Sequence, residues 1–210
     1  LMDDYETRSE AVKITSIRVE DTRKANLKFD PPPGISQDKK RKWAYQRYIT
    51  DYTRTVQAVD DSVGTLLDYL DEQGLAENTL VIYTSDQGMF LGDHGWHDKR
   101  YMYEESLRMP FIARLPGKIE AGSVASDMLL NVDFAPTFMD YAGVEVPDDV
   151  QGSSGRDLLE GTTTDDWQKS LYYRYWMHTI GHKVIPNYGV RNERYKLIFY
   201  YGVTVEDTGN

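Results

Sequence analysis

The sequence predicts an α/β protein carrying a small antiparallel β subdomain at its C-terminal end. Three observations lead there. Between residues 43 and 70 apolar side chains recur at three- and four-residue steps, which draws one apolar face on a long helix. Thr79-Leu80-Val81-Ile82-Tyr83-Thr84 follows, a short β-branched run expected to form a strand buried on both faces. The stretches 170–176 and 188–201 are tyrosine-rich, with a turn near Asn192-Glu193, and read as antiparallel strands.

Taken in order, residues 1–35 are a polar lead-in that closes on the breaker Asp30-Pro31-Pro32-Pro33-Gly34. Ser36 is a suitable helix N-cap, because its hydroxyl can accept from one of the free amides of the first turn. Trp43, Tyr48, Tyr52, Val59, Val63 and Leu70 mark the apolar face, and Gly74 is the expected stop. A long helix leading into a buried strand is the pattern of an α/β sheet. Phe111-Ile112-Ala113-Arg114 is a second strand candidate. A helix is expected over 132–141, ending at Gly143, with Pro136 in its first turn where the missing N–H does no harm. We therefore divide the chain into a lead-in at 1–35, an α/β part at 36–165 and a β subdomain at 166–210.

Composition excludes several classes. The 210 residues are 40% hydrophobic and 28% charged, enough for one domain with an appendage. A net charge of −10 opposes any broad attraction to nucleic acid. With no cysteine, this sequence can form neither a disulfide nor a thiolate zinc site. No apolar run reaches the roughly 18 residues that a membrane-spanning helix needs. No signal peptide is visible, and the opening Leu1-Met2-Asp3-Asp4 reads as the middle of a longer protein.

The chemistry concentrates after the first strand, in 84–100. Ligands of open α/β sheets bind just beyond the carboxyl ends of strands. Asp86 and Gln87 are adjacent oxygen donors, one anionic and one neutral, of the kind that hard cations such as Ca²⁺ take. Gly88 would let the backbone turn sharply there. The same three residues also describe an ordinary turn. Lys99 is a point-charge donor suited to a sulfuryl or phosphoryl oxygen, and His94 and His97 can donate a hydrogen bond or a proton. A solvated polar loop is the plainer reading of the same residues.

Ser85-Asp86-Gln87-Gly88, Leu91-Gly92-Asp93-His94-Gly95, Lys99-Arg100 and Tyr103-Glu104-Glu105-Ser106-x-Arg108-x-Pro110 resemble blocks of the formylglycine-dependent sulfatases of the alkaline-phosphatase-like superfamily. The resemblance runs on, in the family's order, through Asn131-Val132-Asp133-Phe134-Ala135-Pro136 and Tyr188-Gly189-Val190-Arg191 to Arg194-Tyr195-Lys196-Leu197-Ile198. It covers roughly residues 40–200 and looks most like the branch of N-acetylglucosamine-6-sulfatases and mucin-desulfating enzymes.

That resemblance implies part of a mixed alkaline-phosphatase-like sheet with flanking helices. It implies a sulfuric ester hydrolase acting on a sulfated sugar, of glycosaminoglycan or mucin type. Asp86 and Gln87 match the positions that complete the family's Ca²⁺ site, and Lys99 the lysine that contacts the sulfate and the leaving oxygen. His94, Arg100 and His182 become candidate substrate contacts; Asp98 and Arg100 could hydrogen-bond sugar hydroxyls or form an ion pair within the loop. His178 lies on the same approach, His97 fits a packing or rim role, and Asn187 stands where relatives often carry His. The family's nucleophile, a formylglycine made from Cys or Ser in a Cys/Ser-x-Pro-x-Arg motif, has no counterpart here, nor does the first Ca²⁺-binding aspartate pair. The expectation is therefore a C-terminal portion whose calcium shell and nucleophile come from an N-terminal half outside this chain. Without that half, an exposed sheet edge and apolar faces should favour aggregation. Family habit places the enzyme in the periplasm, outside the cell or in the lysosome. Two alternatives remain: a phosphodiesterase or phosphonate hydrolase of the same superfamily, and a non-catalytic remnant that binds sulfated glycan.

Overall fold

The structure is a computed structural model and describes residues 30–162, 165–177 and 184–202. Helix α1 (Gln37–Glu72) starts where the sequence places it: the Ser36 hydroxyl accepts from the Lys39 N–H at 3.4 Å. It ends before Gly74, whose φ of +65° is a left-handed conformation that side chains resist. Among the described residues its apolar face is fully covered only at Ala44 and Leu70, while Val56 and Leu66 stay 47% and 51% exposed.

Strand β1 (Val81–Thr84) follows a short 3₁₀ turn. Next come a minimal ribbon of β2 (Phe90–Leu91) and β3 (His97–Asp98), the one-turn helix α2 (Glu104–Leu107), and β4 (Phe111–Arg114). β4 returns antiparallel to β1, with Val81 opposite Arg114 and Thr84 opposite Phe111. Arg114 meets Asp71 at 3.2 Å and ties this pair to the end of α1. The strand expected to be buried on both faces is not: Val81, Ile82 and Thr84 are half-buried and Tyr83 is exposed. The reason is that β1 and β4 form a sheet of only two strands among the described residues.

Helix α3 (Phe134–Ala142) is preceded by a 3₁₀ turn and closed by Gly143 at φ +67°. The fully buried carboxylate of Asp133 holds its entry, accepting from the Leu130 N–H at 2.8 Å, the Ser153 N–H at 3.0 Å and the Gln168 amide at 2.6 Å. A buried carboxylate is tolerated when its oxygens are satisfied in this way. A single turn, α4 (Arg156–Leu159), leads on to the C-terminal sheet.

That sheet is β5 (Ser170–Tyr175), β6 (Asn187–Asn192) and β7 (Lys196–Tyr200), antiparallel in the order β5-β6-β7. Side chains alternate as the pleat requires: Tyr173, Tyr175, Asn187 and Gly189 face inward, Tyr172, Tyr188 and Phe199 outward. A core cluster of Phe90, Trp96, Tyr101, Val184 and Ile185 lies between the β2–β3 ribbon and this sheet. Trp96 and Tyr101 stack at 4.6 Å, and Phe90 meets Trp96 edge-on at 5.3 Å. Large buried rings with few rotamers make a stiff base, and this base lies beside the candidate site. No described helix is long and apolar enough to cross a membrane.

Candidate functional site

The Asp86 motif begins two residues after β1 ends. Asp86 is exposed and Gln87 half-buried. The Ser85 hydroxyl donates to the Gln87 carbonyl at 2.9 Å, which closes the turn. Gly88 has a reason other than the expected sharp turn, because its φ is not left-handed. A Cβ there would run into the Glu105 carbonyl oxygen and lie 3.0 Å from the Ser106 carbonyl carbon, so the glycine is a close-approach residue. Its N–H donates to the Ser106 carbonyl at 2.9 Å.

Lys99 lies 13 residues after Asp86, beyond β3. The residues on either side of it, Asp98 and Arg100, have φ values of +81° and +89°. Left-handed backbone at a non-glycine residue costs about 1–3 kcal/mol and persists only where its surroundings hold it. Two such residues flanking a lysine mark a shaped loop. Arg100 pairs closely with Asp98. The Lys99 ammonium is 4.0 Å from the same carboxylate and 29% exposed, so it is loosely engaged and accessible to an anion.

The loop is also gripped from below. The Arg100 N–H donates to the Ser106 hydroxyl at 3.0 Å, and the Tyr173 hydroxyl donates to the Arg100 carbonyl at 2.9 Å. Burial, with a lesser push from Tyr175, raises Tyr173 to about 12, so its phenol keeps this proton throughout the neutral range. Burial likewise raises Tyr175, against the pull of Arg100.

His94, itself at φ +55°, has Nε2 at 3.1 Å from Glu105 and its ring among Phe90, Trp96 and Tyr103. His97 faces α1: Nδ1 is 3.3 Å from the Tyr48 hydroxyl, and burial lowers its pKa, partly offset by Asp98. Asn187 is fully buried, its amide donating to the Ile185 carbonyl at 3.0 Å, so it points into the fold. His178 and His182 lie outside the described residues.

Two carboxylate and amide donors match the chemistry of a hard cation, but they supply only part of the roughly six to eight oxygens of a calcium shell. Among the described residues no group of three or more His, Cys, Asp or Glu comes together to hold a metal. The pair therefore fits one side of such a site.

Ser106, Tyr173, Glu104 and Arg191 have no assigned role in the sequence reading, although three of them fall inside its matching blocks. Glu104 takes Arg191 at 2.9 and 3.1 Å and Lys196 at 2.6 Å, and so joins α2 to β6 and β7. For Ser106, Glu104 and Arg191 the signal was their place in those blocks; the partners of Tyr173 and Glu104 lie 73 and 87 residues away, too far for spacing to reveal.

Two family models match the chain: one described as Sulfatase over residues 4–144, the other as N-sulphoglucosamine sulphohydrolase, C-terminal, over residues 92–207. The chain is 54% identical over 161 residues to a protein named N-acetylglucosamine-6-O-sulfatase from Bacteroides thetaiotaomicron, a match taking in 76% of this chain and 29% of that one. It is similar to a solved structure in complex with its substrate D-glucosamine-2-N,6-O-disulfate, at TM-score 0.75 and 46% identity, over 94% of this chain and 40% of that one. A phosphonate monoester hydrolase from Silicibacter pomeroyi shares the fold at TM-score 0.69 and 23% identity, over 94% of this chain and 44% of that one. The chain thus spans less than half the length of each of these three proteins.

Proposed function

This chain belongs to the sulfatase family, and on that premise we propose that it forms the sulfate-binding side of the active site of a sulfuric ester hydrolase acting on a 6-O-sulfated glucosamine residue of a glycan. The single observation behind this reading is the position of Lys99: held between two left-handed residues, on a loop hydrogen-bonded to the same serine as the Asp86 motif.

Cleavage of a sulfate ester builds negative charge on the sulfuryl oxygens and on the departing sugar oxygen. A fixed ammonium aimed at those atoms stabilises the transition state more than the ground state. Lys99 supplies that charge, and it is not consumed by its neighbour because Asp98 is already held by Arg100. Asp86 and Gln87 would hold one side of a Ca²⁺ ion, which when bound supplies a second positive charge to the sulfate oxygens. Residues outside this chain complete the ion's shell and provide the formylglycine nucleophile. His94, Arg100 and His182 are assigned as substrate contacts; for His94 and Arg100 a sugar contact means sharing or opening their pairs with Glu105 and Asp98. The enzyme is expected to act outside the cytoplasm, in the periplasm, the secreted fraction or the lysosome.

Replacing Lys99 with Ala in the full-length protein should lower kcat on a 6-O-sulfated glucosamine substrate by at least about 100-fold, near 2.7 kcal/mol of barrier. Turnover within about twofold of wild type, under 1 kcal/mol, would remove Lys99 from this role. Aryl sulfate and aryl phosphonate compared on one preparation distinguish this reading from phosphonate hydrolysis.

A further inference from the structure

The cation motif and the sulfate-binding lysine sit on different segments, separated by the β2–β3 ribbon. One residue touches the backbone of both. Ser106, on α2 and 6% exposed, accepts the Gly88 N–H on its carbonyl at 2.9 Å and the Arg100 N–H on its hydroxyl at 3.0 Å. The Arg100 N–H belongs to the peptide plane that begins at Lys99, so the serine hydroxyl constrains the ψ angle of Lys99 itself. The Arg100 carbonyl is held by the Tyr173 hydroxyl. Gly88 in turn presses against the Glu105–Ser106 peptide so closely that no side chain fits. A hydroxyl and a carbonyl on one buried residue are a few bond lengths apart, so the two segments they hold cannot drift independently.

The geometry points to Ser106 as a positioning residue that sets the distance between the Asp86–Gln87 pair and the Lys99 ammonium, its carbonyl registering the first and its hydroxyl the second. The inference rests on the sulfatase reading of those three residues. It predicts an asymmetry that general stability does not. Removing the hydroxyl should release Lys99 and leave the cation pair in place; crowding Gly88 should do the reverse.

The test uses the full-length protein and four variants: Ser106→Ala, Ser106→Thr, Gly88→Ala and Lys99→Ala. Turnover is measured on a 6-O-sulfated glucosamine substrate, Ca²⁺ affinity by calorimetry, and exchange of the Arg100 amide by mass spectrometry or NMR. Ser106→Ala should lower kcat by about 10- to 100-fold, the usual effect of displacing a catalytic group by around an ångström, with KM changed less than about threefold. Its Ca²⁺ Kd should stay within about twofold of wild type, a difference well under the tenfold that 1.4 kcal/mol represents. Exchange at Arg100 should accelerate. Ser106→Thr keeps the oxygen and should recover most of the lost turnover and protection. Gly88→Ala should weaken Ca²⁺ binding.

If Ser106→Ala turns over normally while Lys99→Ala is inactive, the positioning role is wrong and the sulfatase reading stands. If Lys99→Ala is itself active, the sulfatase assignment of Lys99 fails first. Equal losses of Ca²⁺ affinity and turnover in Ser106→Ala would also overturn the proposal, since they would mean the serine merely supports the whole segment.

Discussion

Glu104 holds Arg191 through both carboxylate oxygens, at 2.9 and 3.1 Å, across 87 residues of sequence. Lys196 adds a second cation at 2.6 Å. Beside this pair Met102 is fully buried, and a Cβ on Gly189 of β6 would come within 2.5 Å of its sulfur. The loop of the candidate site is therefore docked on the C-terminal sheet by a two-pronged ion pair and a close backbone contact.

Replacing Glu104 with Gln should destabilise the protein by about 1 kcal/mol. The side chain is 43% exposed, so solvent screening keeps the loss well below the cost of breaking a fully buried pair. Chemical denaturation of the full-length protein and the variant measures the difference; a shift of 3 kcal/mol or more, on the order of that buried-pair cost, would contradict this account of the pair.

The same residue gives a pH dependence with a definite sign. Burial pushes the Glu104 carboxyl up, but the hydrogen bonds and charges of Arg191 and Lys196 outweigh it and hold the pKa below its ordinary 4.5. The unfolded chain binds the proton first as pH falls, so this stabilisation is complete above about 4.5 and is lost as pH drops through the lower folded value. The stability gap between wild type and Glu104→Gln should be constant near neutrality and close in acid. A gap that widened in acid would reverse the assigned direction.

Gly88→Ala should cost about 1–3 kcal/mol, the usual penalty for forcing atoms into filled space. The added methyl meets backbone at Glu105 and Ser106, which cannot swing aside as a side chain would. Thermal melting reports the loss, and a variant as stable as wild type would show that the segments can separate freely.

His97 should titrate below its ordinary 6.5, because burial disfavours the imidazolium more than Asp98 favours it. An NMR titration reads the midpoint directly. Since the unfolded state takes up the proton at higher pH than the folded state, this group's contribution is complete above 6.5 and declines as pH falls toward the folded value. A midpoint above 6.5 would mean that Asp98 dominates.

Much of the local structure was legible because its causes are local. Ser36 caps α1 with its own hydroxyl, Gly74 and Gly143 end helices in left-handed backbone, and the β-branched run and the tyrosine-rich stretches take up strands. The sulfatase family was legible too, since residue types and their spacing carry the resemblance. Two readings at this level needed the third dimension: the exposure of β1 depends on how many strands flank it, and the need for Gly88 comes from Glu105 and Ser106 rather than from its own turn. Tertiary structure alone decided what holds Lys99 in place. Ser106, Tyr173 and Glu104 act through hydrogen bonds and ion pairs to residues between 6 and 92 positions away, and such pairings leave no periodicity along the chain. Propensity, capping and spacing are properties of neighbours in sequence. The hold of Ser106 on both the Gly88 and the Arg100 amides is a property of neighbours in space.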